Sequence, residues 1–138
     1  MTLAAMITNN ATQAEALEAR LVVFAVAMIH IANRLDRTLA GRHVAGQIVR
    51  SGTSAAPNYA EARSAESRAD FIHKLRIAMK ELNETSVWLR ILASSGLSRA
   101  DDLRAAIAEC YALRCIVGAS LRTARLNASR DDSPPDQP

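Results

Sequence analysis

Phe71-Ile72-His73-Lys74-Leu75-Arg76-Ile77-Ala78-Met79-Lys80-Glu81-Leu82-Asn83-Glu84-Thr85-Ser86-Val87-Trp88-Leu89-Arg90-Ile91-Leu92 carries the pattern that decides the fold. Within it Phe71, Leu75, Ala78, Leu82, Thr85, Leu89 and Leu92 recur at steps of 4 and 3 for three full heptads. A 3.5-residue repeat lines one side of a helix and packs as knobs into holes against its neighbours. Towards the N terminus, Leu17, Leu21, Phe24, Met28, Ile31 and Leu35 step by 4, 3, 4, 3, 4. Towards the C terminus, Leu103, Ile107, Cys110, Leu113, Val117, Leu121 and Ala124 make a third seam. Between the first and second of these lies a thinner stripe of mostly small residues: Ala45, Ile48, Gly52, Ala55, Tyr59 and Ala62. Small residues let a neighbouring backbone come close. Pro57 falls inside the stripe, and its missing N–H and bulky ring predict a kink or local break near Ala56.

The ends of these segments carry helix signals. Ser67-Arg68-Ala69-Asp70 and Ser98-Arg99-Ala100-Asp101 each place a Ser where it can accept from the amide at N3, with Asp at the positive end of the helix dipole. Gly96 fits the stop of the third helix and Gly41 a stop between the first and second. The predicted fold is all-α, an antiparallel up-down-up-down four-helix bundle with helices at about 12–40, 42–66, 68–95 and 99–127. Residues 1–11 read as a disordered or frayed N terminus, 12–127 as the bundle and 128–138 as a flexible, polar, Pro-rich tail.

Composition agrees with helices. Hydrophobic residues make up 49% of the 138-residue chain but aromatics only 4%, so Ala, Leu, Ile and Val must build the core. Five Gly and four Pro are too few for a turn-rich sheet protein. The most apolar run, Leu21 to Ala32, is too short to span a bilayer and suits a bundle core. Cys110 and Cys115, five apart on one helix, point to different sides and form neither a disulfide nor a Cys-x-x-Cys metal motif. Free thiols point to a reducing, cytoplasmic location. The net charge is +3; from Arg130 onward one Arg and three Asp give −2, leaving about +5 on the body. Arg outnumbers Lys fifteen to two, a bias suited to phosphate or carboxylate partners.

A plain bundle leaves one feature unexplained. Gln47, Ser51, Ser54, Asn58 and Glu61 step by 4, 3, 4, 3 beside the apolar stripe, and Lys74, Ile77, Glu81, Glu84 and Trp88 flank the third seam. Such stripes hydrogen-bond between helices, face another subunit or are simply solvated. Trp88, with Ile77 and Ile91 outside the main seam, favours a contact surface.

The stretch Gly46-Gln47-Ile48-Val49-Arg50-Ser51-Gly52-Thr53-Ser54-Ala55-Ala56-Pro57-Asn58-Tyr59-Ala60-Glu61-Ala62 resembles the signature of the 23S rRNA-intervening-sequence proteins: an Arg-Ser pair, small residues, then Asn-x-Ala-Glu. A second block, Phe71 to Ala78 followed by Glu81-Leu82, Glu84-Thr85 and Trp88-Leu89, is similar as well. The resemblance covers about residues 15–125. Ala62 departs from the Gly many relatives carry, and Pro57 falls two residues later than a Pro often seen in them. The resemblance implies a bacterial homo-oligomer, a ring of five bundles, with no enzymatic activity and no cofactor. The chain is also similar to the accessory variability protein of diversity-generating retroelements, a basic pentamer that associates with a reverse transcriptase and nucleic acid.

The leading expectation is therefore a non-catalytic homo-oligomeric scaffold, with Gln47, Ser51, Ser54, Asn58, Glu61, Glu81, Glu84 and Trp88 as a polar stripe or interface. The alternative is an accessory protein that binds RNA or a nucleoprotein through a basic surface, with Arg42, Arg50, Arg63, Arg68, Lys74, Arg76 and Lys80 as phosphate contacts. No aromatic stacking platform is visible, so such binding would be phosphate-led and salt-sensitive. A third reading takes Arg68 and His73 as the pair of a HEPN-like ribonuclease, but five residues apart they lie on different sides of a helix. No Glu-x-x-His is present for a di-iron bundle. No metal, membrane or small-molecule substrate is expected.

Overall fold

Five helices make four rods. In the computed structural model, which describes residues 2–132, these are α1 (Leu3–Arg34), α2 (Leu39–Gly52), α3 (Ala55–Arg63), α4 (Arg68–Ser95) and α5 (Ala100–Asp131). α2 and α3 follow one another as a single broken rod. Each rod packs against its sequence neighbours, and α5 closes back on α1. The architecture is the expected all-α, four-rod antiparallel bundle.

The heptad seams form the core. Phe24, Met28, Ile48, Leu75, Leu82, Leu89, Leu92, Leu113 and Val117 are fully enclosed. The last seam passes through Ala106, with Ile107 only half-buried beside it. Non-directional burial of such side chains, each worth roughly 1.5–3 kcal/mol, is what holds the rods together.

Several boundaries differ from those read in the sequence. α1 begins at Leu3, not residue 12, because Thr2 caps it: the Thr2 hydroxyl accepts from the Ala5 amide at 3.2 Å. It ends at Arg34 rather than near 40, since Leu35 turns extended and Thr38 caps α2 by accepting from the Gly41 amide at 3.0 Å. Gly41 is thus inside the first turn of α2 and is no helix stop. A Cβ there would lie 1.9 Å from the Asp36 carbonyl oxygen, so the glycine permits a close backbone approach.

The second rod breaks at Thr53–Ser54, slightly before the predicted site at Ala56. Pro57 has no N–H to offer the Thr53 carbonyl, and its ring crowds that group. By restarting at Ala55, the chain makes Pro57 the third residue of α3, where no intrahelical N–H bond is required. Gly96 ends α4 as read, with φ +74°. Ser67 caps α4, accepting from Asp70 at 3.1 Å. Ser98 does not cap α5: its N-cap is Arg99, without a side-chain bond, and the turn uses Ser95, whose hydroxyl accepts from the Leu97 amide. α5 continues to Asp131, past the predicted end at 127. The part of the expected tail from 133 to 138 lies outside the described residues.

Candidate interaction surfaces

The polar stripe is the seam between the broken rod and α4. Ser51 and Thr85 are fully buried there, with the Thr85 hydroxyl 3.0 Å from Ser51 Oγ. Each also touches its own helix: Ser51 donates to the Gln47 carbonyl at 2.9 Å, and Thr85 lies 2.8 Å from the Glu81 carbonyl. Outside this pair, Arg50 bridges to Glu84 and stands 3.6 Å from Glu81, while its Nε donates to Gln47 Oε1 at 3.0 Å. Among the described residues Glu81 Oε2 is buried without a hydrogen bond, with Arg50 Nη1 at 3.6 Å as its opposite charge. Lys74 meets Glu61 at 2.7 Å, which raises the lysine pKa chiefly through that hydrogen bond. At the other end His43 meets Trp88 edge to face, 5.8 Å between centroids. As partners on the rod run from 43 to 61, those on α4 run from 88 back to 74, so the break at Thr53 does not slip the antiparallel register.

This assigns the stripe residues. Ser51 lies between helices; Gln47, Glu81, Glu84 and Trp88 are half-buried on its rim, and Glu61 is exposed. Ser54 and Asn58 serve the break itself: Ser54 Oγ bonds the Arg50 carbonyl, and Asn58 donates to the Ser54 carbonyl at 2.8 Å. Most of the polar stripe is occupied within the chain.

The basic residues divide in two. Arg50, Arg63, Arg68 and Lys74 are paired with Glu84, Glu18, Asp131 and Glu61. Arg42, Arg76 and Lys80 are exposed and have no acidic partner among the described residues. Arg76 and Lys80 share the outer face of α4 with Arg90, and α5 adds Arg114, Arg122 and Arg125. Arg114 reaches across to Asn83 and Ser86, and Arg122 lies over Gly118 next to Met79. The acids of the central parts of these helices turn elsewhere: Glu81 and Glu84 to Arg50, Glu109 to Arg20. The outer α4–α5 surface is therefore cationic without local countercharge. Arg68 and His73 do not form a site. Arg68 turns to Asp131 and His73 is exposed on the outer side of α4. Among the described residues no three His, Cys, Asp or Glu gather as a metal site, and no helix is long and apolar enough to cross a membrane.

A third surface was not singled out in the sequence. The outer side of α1 presents Val22, Val23, Val26 and Ile29, exposed by 49, 68, 44 and 38%. No charged residue interrupts α1 between Arg20 and Arg34 apart from titratable His30. The signal was present: Ala19, Val22, Val26 and Ile29 form a second apolar stripe at steps of 3, 4 and 3, behind the core stripe. A helix apolar on all sides is normally covered on all sides.

An antiparallel bundle with heptad seams, a polar seam at the broken second rod and the Arg-Ser…Asn-x-Ala-Glu sequence running along that rod define a class of small helical-bundle proteins. The chain belongs to the 23S rRNA-intervening sequence protein family, whose pattern matches residues 19–118. It is similar to a crystal structure of a protein of unknown function of the S23 ribosomal protein family from Bacteroides thetaiotaomicron, with 31% identity and a TM-score of 0.72. That similarity covers 76% of this chain and 97% of the other. None of the curated proteins matches the chain. Neither the family description nor the crystal structure names an enzymatic activity.

Proposed function

We propose that the protein is a non-catalytic, self-associating scaffold whose copies meet through the outer face of α1. The observation that carries this reading is the exposed, almost uncharged stripe of Val22, Val23, Val26 and Ile29. Contiguous apolar surface on a helix that already supplies the core is what a subunit contact requires. A second copy of the same chain satisfies it through a heterologous contact, in which this face of one copy rests against a different face of the next, as ring closure requires. The ring of five implied by the family resemblance is the proposed assembly. Light scattering on the eluting protein should then read five times the 14.9 kDa protomer mass. Replacing Val26 and Ile29 together with Asp should give a monomer of unchanged helicity, because neither side chain belongs to the core. A wild-type monomer at micromolar concentration sinks the proposal.

A second reading has its own support in the α4–α5 surface: the assembly binds phosphodiester backbones. The unneutralised cations gathered on one face suit a polyanion, and their lack of base-reading aromatics fits binding led by phosphate. Changing Arg76, Lys80 and Arg122 to Gln should weaken binding to structured RNA in a filter assay. It should also flatten the dependence of log K on log salt, by roughly 0.7–0.9 for each phosphate no longer neutralised. No affinity for RNA at low salt would remove this reading.

A further inference from the structure

The N-terminal third of α1 stands clear of the bundle. Its described side chains from Leu3 to Gln13 are exposed, and between it and the C-terminal half of α5 lies a groove of about 800 Å³. The turn from α3 to α4 closes one side. This volume falls in the range of small-molecule sites, roughly 300–1,000 Å³. Leu17, Ala62, Phe71 and Ala124 give it apolar walls, and Arg63 and Arg68 are its charged members; among the described residues no acid lines it.

Three features converge on an anion. First, Arg63 reaches Glu18 through Nη1 at 3.3 Å, and Arg68 reaches Asp131 through Nη1 alone. A guanidinium carries five N–H donors in a planar fork, so both keep Nε and Nη2 for another acceptor. Second, Tyr59 lines the groove, and its hydroxyl makes no hydrogen bond among the described residues and is not sealed from the groove, so it is free to donate to an occupant. Its burial raises the pKa above the ordinary 10.0, with Arg63 pulling the other way, so at neutral pH the group is a proton donor. Third, the N-terminus of the 28-residue α4, with Ser67 and Arg68 at the groove wall, directs its positive dipole end here.

We infer that this groove binds a small organic anion, its acidic head held by Tyr59, Arg63 and Arg68 and its apolar body lying against Leu17 and Phe71. The shared chemistry is an acid on an apolar body; an alkyl carboxylate and an aromatic phosphomonoester are its two sources. The full chain should be titrated with 1-anilinonaphthalene-8-sulfonate, followed by fluorescence, with decanoate and 1-naphthyl phosphate as competing arms. The expected result is saturable binding that weakens roughly tenfold or more in Arg63→Gln/Arg68→Gln and several-fold in Tyr59→Phe. Displacement by either competitor identifies the source. Ser120→Trp, which fills the groove from a partly exposed position on α5, should block the site without disturbing the core. Arg37→Gln, an exposed change in the α1–α2 turn at the opposite end of the bundle, should leave the affinity unchanged. The inference is overturned if the wild type binds no probe, if neither competitor displaces it, if binding survives Ser120→Trp and the Arg changes, or if it is lost in Arg37→Gln instead.

Discussion

Ser51 and Thr85 are the two fully buried polar residues of the core, and each has a second acceptor on its own helix. Removing one hydroxyl therefore leaves the other satisfied. Ser51→Ala or Thr85→Val should each cost only about 1 kcal/mol, at the low end for a buried bond. A double-mutant cycle by urea unfolding should show the two losses to be less than additive. The cysteines make a sharper contrast. Cys115 is exposed, whereas Cys110 is buried with its thiol donating to the Leu82 carbonyl at 3.4 Å. Burial pushes the Cys110 thiol up to about 11 from the ordinary 9.0. Native protein should thus react with one equivalent of a thiol reagent at neutral pH and with a second only on unfolding. The raised folded-state pKa means that the neutral thiol's stabilisation is complete below about pH 9 and is lost as pH climbs towards 11. Urea midpoints should fall across that window, and less steeply in Cys110→Ala.

At the scale of elements, three glycines in α2 separate three causes. A Cβ at Gly52 would sit 2.5 Å from Met28 Cγ and 2.8 Å from Met28 Cβ, and one at Gly41 would strike the Asp36 carbonyl, whereas one at Gly46 meets nothing within 4 Å. Gly52→Ala should cost about 1–3 kcal/mol by overpacking the α1–α2 contact. Gly41→Ala should cost more, since backbone must move. Gly46→Ala should stabilise the protein by up to about 1 kcal/mol, the ordinary helix preference for Ala. Thermal unfolding of the three variants checks the order. The same glycines show what was legible. Heptad spacing foretold α4 to the residue, because its seam, Ser67 cap and Gly96 stop agree. It misjudged the α1–α2 junction because Gly41 reads alike as a stop or as a close approach, and only the Asp36 carbonyl above it distinguishes them. Pro57 announced a break, but the carbonyl it displaces belongs to Thr53, so the break falls upstream.

For the whole molecule, periodicity reveals which residues share a face of one helix but not which neighbour covers it. That is why the partners of Arg63, Arg68 and Lys74, acids on adjoining helices, were not legible. It is also why Leu21 to Ala32 read as a bundle-core helix without showing that Val22, Val23, Val26 and Ile29 remain outside. Once the rods are assembled, unpaired cations gather on α4 and α5, where Val87 and Ile91 are exposed as well, while α1 carries an aliphatic stripe without charges. The nine-residue α3 has a consequence for this arrangement. It has no side-chain cap and no acid in its first turn, and a helix this short does not persist alone. Burial of Ala55, Ala56, Tyr59 and Ala62 is the main term that keeps it wound. In heavy water its amides should take up deuterium before those of α2 and α4, and an occupant resting on Tyr59 should slow that clock.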